Sequence, residues 1–258
     1  DEWLKVSREF EYRWNFPRAI GAVSGKRVKI QAPKNEHYPG NDLPSIVLLA
    51  VCDADYNFMY ADAAGWPDRV TGGEIFQSCS MFPMLERKAL NIPDAQIMGV
   101  PYAKPVPYTF LADEAFAADY TICPFAKDET SSAIQSKFNL RFAAAHSVIE
   151  NALGILFSRF RVLLGPIQLE LDVVKSIVLA TVYLHNFLRK GHSANIYMPP
   201  ESIDRTVDGN VIRGDWRTDP SVTAAVIGLN VGRHTTISNS EEDTNHVRTL
   251  LANVLSNL

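Results

Sequence analysis

The chain has 258 residues, 47% of them hydrophobic, and a formal net charge of −4. This is enough material for one large globular domain, or two ordinary ones, with a buried core. The negative charge makes the chain a poor non-specific DNA binder, because DNA phosphates attract mainly Lys and Arg. No run of eighteen apolar residues and no signal-peptide pattern occurs, so we expect no membrane segment.

The first part of the chain predicts one helix followed by three strands. Residues 1–15 have apolar side chains at helical spacing. Alternation over 27–31 and a continuous apolar run over 44–51 predict two strands. Turn-forming residues at 53–57 then predict a hairpin whose returning strand covers 58–63.

The middle of the chain predicts a helix and a strand that ends in an acid. Residues 73–90 have a helical pattern that Pro83 could split or kink. Residues 108–112 are typical of a buried strand, and Asp113 follows at its carboxyl end. Open α/β sheets place their chemistry at that end of their strands.

The second half is predicted to be mainly helical. Apolar residues at helical spacing predict three helices: 136–160, 171–190 and 241–256. Residues 192–240 are polar and turn-rich. Trp66 and Trp216 lie in turn-rich segments and are either local core or surface anchors.

This order of elements predicts an α/β fold in which helices flank a mixed sheet. We divide the chain into an N-terminal helix (1–15), a core domain (16–190) and a turn-rich extension (191–258) whose terminal helix packs on the core.

Common catalytic motifs do not occur. The six histidines have none of the usual zinc-site spacings, and there is no GxSxG, Walker or GxGxxG motif. Three cysteines without paired spacing indicate reduced thiols in an intracellular protein.

Five motifs occur in order along the chain: Asn15–Lys26, Val28–Lys34, Ile46–Asp53, Ala112–Phe116, and Glu150–Ile155 followed by Arg159–Arg161. They resemble those of the nuclease domain of PIF/Harbinger transposases and of the nucleases domesticated from them. Together they cover about residues 14–190, and Gly214–Arg217 resembles a further motif. The resemblance implies an RNase H-like core that cuts and joins DNA with two divalent metals, Mg²⁺ or Mn²⁺, held by carboxylates.

In the family that this chain resembles, four positions hold metal-binding acids. The residues at these positions in this chain are Ser24, Gly72, Asp113 and Glu150, so only two of the four are acids. A neutral hydroxyl cannot supply the charged ligand that two closely spaced metals require. We therefore expect no functional catalytic residue, no cofactor, and at most weak metal binding at Asp113 and Glu150.

Other carboxylates could compensate for the two missing acids. The candidates are Asp62, Asp68 and Glu74. A shift of a few residues moves a carboxylate by several Å, whereas a catalytic geometry tolerates about 0.5 Å. Compensation is therefore the weaker alternative, and it would give an active divalent-metal-dependent DNA endonuclease.

Both retained acids also have a structural interpretation. Asp113 could accept hydrogen bonds from the backbone amides just after it. Glu150 could pair with His146, one helical turn before it, or with Arg159 or Arg161.

We expect a catalytically inactive domesticated transposase domain that acts in the nucleus as a protein-interaction or chromatin- and DNA-associated module. The resemblance implies a protein partner, either a Myb/SANT-like or MADF-type DNA-binding protein or a chromatin complex. In intact family members, DNA-binding helices precede the nuclease domain, and we expect none of them within this sequence.

DNA contact is expected to be mostly indirect. Any direct contact would involve basic residues of the first strand and the long helix, namely Lys26, Arg27, Lys29, Arg159 and Arg161. A third hypothesis is a dimerisation domain with an apolar interface on the 171–190 or the terminal helix.

Overall fold

A computed structural model describes residues 2–31, 45–67, 70–98, 105–126, 132–207, 210–226, 229 and 239–256. The strands are β1 (Ala19–Lys29), β2 (Ser45–Cys52), β3 (Phe58–Gly65), β4 (Thr109–Ala112), β5 (Thr121–Ile122), β6 (Arg205–Val207) and β7 (Asn210–Ile212). The α-helices are α1 (Glu2–Trp14), α2 (Gly72–Ser78), α3 (Phe82–Glu86), α4 (Ala133–Arg159), α5 (Leu171–Leu188), α6 (Ala194–Tyr197), α7 (Pro220–Ala225) and α8 (Asn239–Ser256).

The core is a mixed five-stranded sheet with the order β3-β2-β1-β4-β5. Strands β1, β2 and β3 are antiparallel neighbours, whereas β4 runs parallel to β1 and β5 runs parallel to β4. Strands β6 and β7 form a separate antiparallel hairpin. This arrangement confirms the predicted α/β fold and is consistent with an RNase H-like core.

Helices cover both faces of the sheet. Apolar side chains of α4, α5 and α8 pack with one face, and those of α2 and α3 pack with the other. Alternation along β1 sends Ala22 to the α4 face and Val23 to the α2 face. Ser24 and Lys26 therefore share the α4 face with Ala22.

Helix α4 positions the candidate site. A capping box between Ser132 and Gln135 fixes its start. Its apolar stripe then packs on β1, β2 and β4. This helix confirms the one predicted over 136–160, which was predictable because its apolar stripe is long and uninterrupted.

Three regions differ in detail from the predictions. Strand β1 begins at Ala19, well before the predicted range 27–31, because Gly21 and Gly25 weaken the strand pattern although both are buried. The helix predicted over 73–90 is split near Pro83, as the sequence allowed, into the two short helices α2 and α3, and it ends earlier, at Glu86. The turn-rich extension contains the β6–β7 hairpin. Residue 44, the predicted start of β2, lies outside the described residues.

Helix α5 is anchored to the β2–β3 hairpin by its polar residues. His185 Nε2 donates to the Tyr56 carbonyl (2.9 Å), and Asn186 hydrogen-bonds both the N–H and the C=O of Phe58. Burial lowers the pKa of His185 to about 4, so its ring is neutral. Within the described ranges, α5 is the one helix that could cross a membrane by length and composition, criteria that the core helix of a globular domain can also meet.

Candidate acidic site

Strands β1 and β4 and helix α4 bring three of the four predicted positions together. The parallel register pairs Val23 with Ala112, so Ser24 and Asp113, one residue further on, are neighbours. The Ser24 hydroxyl donates a hydrogen bond of 3.1 Å to Oε1 of Glu150 on α4. Ser24, Asp113 and Glu150 therefore form one cluster at the carboxyl end of β4, beside the middle of β1.

Lys26 also belongs to this cluster, and its presence there was not predicted from the sequence. Lys26 Nζ lies 3.1 Å from each carboxylate oxygen of Glu150. The Lys26 side chain is 2% exposed and that of Glu150 is 27% exposed. Lys26 follows Ser24 by two residues, so the alternation of a strand placed it on the same face. That spacing was the signal that could have identified it.

The Lys26–Glu150 pair changes two of our expectations. Lys26 was predicted to contact DNA, but its ammonium is buried and already bound to a carboxylate, so it does not reach a phosphate in this structure. Glu150 was expected to pair with His146, Arg159 or Arg161, whereas its ion-pair partner is Lys26.

The two acids have opposite pKa shifts. Burial alone would raise the pKa of Glu150, but Lys26, His146 and the hydrogen bonds from Lys26 and Ser24 outweigh burial and hold it below its ordinary 4.5. Burial raises the pKa of Asp113 above its ordinary 3.8, and the Glu150 carboxylate adds to the rise. The cluster therefore favours the charged form of Glu150, with Lys26 as its counterion.

Asp113 has the structural contact that we expected for it. Its Oδ1 accepts a hydrogen bond of 2.9 Å from the backbone N–H of Ala115 and caps the short 3-10 turn Glu114–Phe116. Beside it, His146 Nε2 donates to the Val23 carbonyl at 3.1 Å. The His146 contact fixes α4 against β1, whereas the Asp113 contact is local to the turn that follows β4.

Position 72 has no room for a side chain. A Cβ atom on Gly72 would lie 2.6 Å from the Ala115 carbonyl oxygen and 2.8 Å from the Phe116 ring. Gly72 thus lies near the segment that follows Asp113, as predicted, but in close contact with its backbone. An acid here would require the 3-10 turn to move.

Two of the three candidate compensating acids, Glu74 and Asp62, do not join the cluster. Glu74 forms a capping box with Thr71 at the start of α2, and its carboxylate accepts from the Thr71 backbone and hydroxyl. Asp62 lies on β3, two strands from β1 and so about 10 Å away. Asp68 lies outside the described residues.

The other predicted DNA contacts are dispersed. Arg27 donates to the Trp66 and Pro67 carbonyls, and Lys29 is exposed near the far end of β1. Arg159 lies about 14 Å along α4 from Glu150 and donates to the Tyr197 carbonyl. Arg161 pairs with Asp219 at 2.9 Å. No single basic strip joins these four residues to the acidic site.

The donor set does not match the one required by two divalent metals. Such metals need several charged oxygen ligands and a shared carboxylate. In the described part of the chain, no three His, Cys, Asp or Glu side chains come together as a candidate metal site. At the acidic site, the Glu150 carboxylate binds the Lys26 ammonium through both of its oxygens.

Residues 23–186 match the family model described as DDE superfamily endonuclease. The chain belongs to this family. The matched range begins next to Ser24, inside β1, and ends in α5, so it contains the whole acidic cluster and most of the central sheet. The resemblance to Harbinger-derived nucleases is confirmed by the relatives below.

The DDE endonuclease domain is similar to the proteins named "Putative nuclease HARBI1". It is 26% identical to the Rattus norvegicus protein over an alignment of 223 residues, and the alignment covers 80% of this chain and 58% of the relative. Identity to the Homo sapiens protein is 26% over 198 residues, covering 74% of this chain and 52% of the relative. The chain thus spans about half the length of these curated relatives. No solved structure matches the chain.

Proposed function

We propose that this chain is a catalytically inactive DDE endonuclease domain, derived from a Harbinger transposase, that acts as a nuclear protein-interaction or chromatin-associated module. The observation that carries the proposal is the Lys26 ammonium bound to both oxygens of Glu150 at 3.1 Å. A cation already fixed at this carboxylate competes with any metal for it. The proposal includes no cofactor.

Two features support a role that depends on a partner for DNA contact. The net charge of −4 works against non-specific binding to a polyanion. Arg159 and Arg161, the basic residues at the end of α4, are bound to other parts of the same chain. We propose that the partner is a DNA-binding protein of the Myb/SANT-like or MADF type, or a chromatin complex.

A nicking assay on supercoiled plasmid DNA with Mn²⁺ tests the loss of catalysis. We expect both the chain and its Asp113→Ala variant to leave the plasmid supercoiled, because no carboxylates among the described residues replace the acids missing at Ser24 and Gly72.

In a gel-shift assay at physiological salt, the chain alone should also fail to slow the migration of linear DNA.

One result of the nicking assay would contradict the proposed loss of catalysis. Nicking by the unmodified chain that is absent from a folded Asp113→Ala variant would show a working metal site and support the active endonuclease instead. Circular dichroism of both proteins confirms that they are folded.

A further inference from the structure

Helix α5 has a second apolar face, which points to solvent. Tyr183 is 74% exposed and Phe187 is 70% exposed, and Val173 and Leu184 are also exposed. The opposite face packs into the core through Val174, Val178, Thr181, Val182 and His185. Because His185 and Asn186 hold this inner face on the hairpin, the outer face is a fixed surface that nothing in the described residues covers.

The outer face of α5 is symmetric about Ala180. Its residues form pairs at equal distances before and after Ala180: Val173 with Phe187, Ser176 with Leu184, and Tyr183 with Ile177, which lies at the margin of the face and also packs against the core. Spacings of three, four and seven residues keep all of them on one side of a helix. A second copy of α5, antiparallel and rotated about Ala180, would therefore place each residue opposite its own pair, as a two-fold interface requires. The small Ala180 side chain allows the two helices to approach at the axis.

Charge at the two ends of α5 favours the same orientation. Glu170 and Asp172 are exposed at its start, where Asp172 also pairs with Lys175 and Glu170 remains the excess charge, and Lys190 and His192 are exposed just after its end. Antiparallel pairing places the acidic end of one helix beside the basic end of the other, and it also opposes the two helix dipoles. A parallel pair would bring like charges together.

We propose that the outer face of α5 is the interface of a homodimer in which two copies of the chain pair antiparallel about Ala180. This inference goes beyond the proposed loss of catalysis and does not depend on it, because α5 contributes no residue to the acidic site.

Disulfide cross-linking tests both the partner and the orientation. Ala180→Cys should give a covalent dimer under mild oxidation, since the two Cβ atoms meet at the axis. Val173→Cys and Phe187→Cys should each remain uncross-linked alone but should cross-link to each other when mixed. The native cysteines, Cys52, Cys79 and Cys123, are buried and provide the background.

Light scattering gives the mass without any cross-link. The chain should have twice its 28.7 kDa mass, and Phe187→Glu should return it to 28.7 kDa. The matched control is Leu140→Glu, because Leu140 is 74% exposed on α4 and lies outside this face.

Three outcomes would overturn the proposal. The first is a monomer that forms no Ala180→Cys dimer. The second is Val173→Cys cross-linked to itself, which requires a parallel pair. The third is a monomer that co-sediments with anionic lipid vesicles through Phe187, which would assign the face to a membrane surface.

Discussion

Replacement of Glu150 by Gln is expected to lower the free energy of unfolding by about 3 kcal/mol, because it leaves the buried Lys26 ammonium without a counterion. Urea unfolding followed by circular dichroism measures the change. The double variant Lys26→Met with Glu150→Gln removes both charges and should recover most of the loss. The large coupling between the two positions is the signature of the ion pair.

A solvent-exposed ion pair provides the control. Lys175 and Asp172 lie 3.2 Å apart, and the Asp172 side chain is 93% exposed. Asp172→Asn should therefore change the stability by less than about 0.5 kcal/mol. An increase in stability on Glu150→Gln would contradict the stabilising ion pair, because it is the result expected where neighbouring acids repel a carboxylate.

The effect of Glu150→Gln should also depend on pH. Since the pKa of Glu150 is held below 4.5 in the folded chain, the carboxylate contributes stability above its ordinary pKa. That contribution is lost as the pH falls through the lowered pKa and the group becomes protonated. The difference in stability between the unmodified chain and Glu150→Gln should shrink over the same acidic range.

The second large effect is expected at Gly154, on α4. An alanine Cβ there would lie 2.2 Å from Cδ2 of Trp216, whose indole is 3% exposed. Trp216 Nε1 also donates to Oδ1 of Asn151 at 3.0 Å, so the ring cannot move away without losing this bond. We expect Gly154→Ala to lower the unfolding free energy by about 3 kcal/mol through overpacking.

The extension should loosen together with Trp216. Oδ1 of Asn151 also accepts from the backbone N–H of Asp204, whose carboxylate binds Arg217, and Arg217 lies over the Trp216 ring at 4.0 Å. Limited proteolysis of Gly154→Ala should therefore cut first within the extension.

Gly165→Ala is the matched control, because a Cβ at Gly165 meets nothing within 4 Å. Equal stability of the Gly154→Ala and Gly165→Ala variants would show that Trp216 does not pack as described.

The parts of the fold with strong local patterns were predictable. The apolar stripe of α4 and the buried run of β2 required no knowledge of the rest of the chain. The position of Asp113 at the end of β4 followed from a short apolar strand and an acid. The structural contact of Asp113 with the Ala115 N–H was also predictable, because Asp commonly caps such turns.

The decisive contacts of the site were not predictable, because they join distant parts of the chain. The Lys26–Glu150 pair links residues 124 apart and depends on how α4 crosses β1. The close contact of Gly72 with Ala115 likewise depends on the packing of α2 against the 3-10 turn. For Trp216, the sequence left core and surface as alternatives. Its ring is buried and packs directly on Gly154, so it belongs to the core.

Manganese binding tests the central claim most directly. Electron paramagnetic resonance reports free Mn²⁺, whose signal disappears when the ion is bound by a protein. Since Lys26 pairs with Glu150 and no third acid among the described residues joins the cluster, the chain should leave the signal of equimolar Mn²⁺ unchanged. A stoichiometric loss of the signal, restored by Asp113→Asn, would contradict this account.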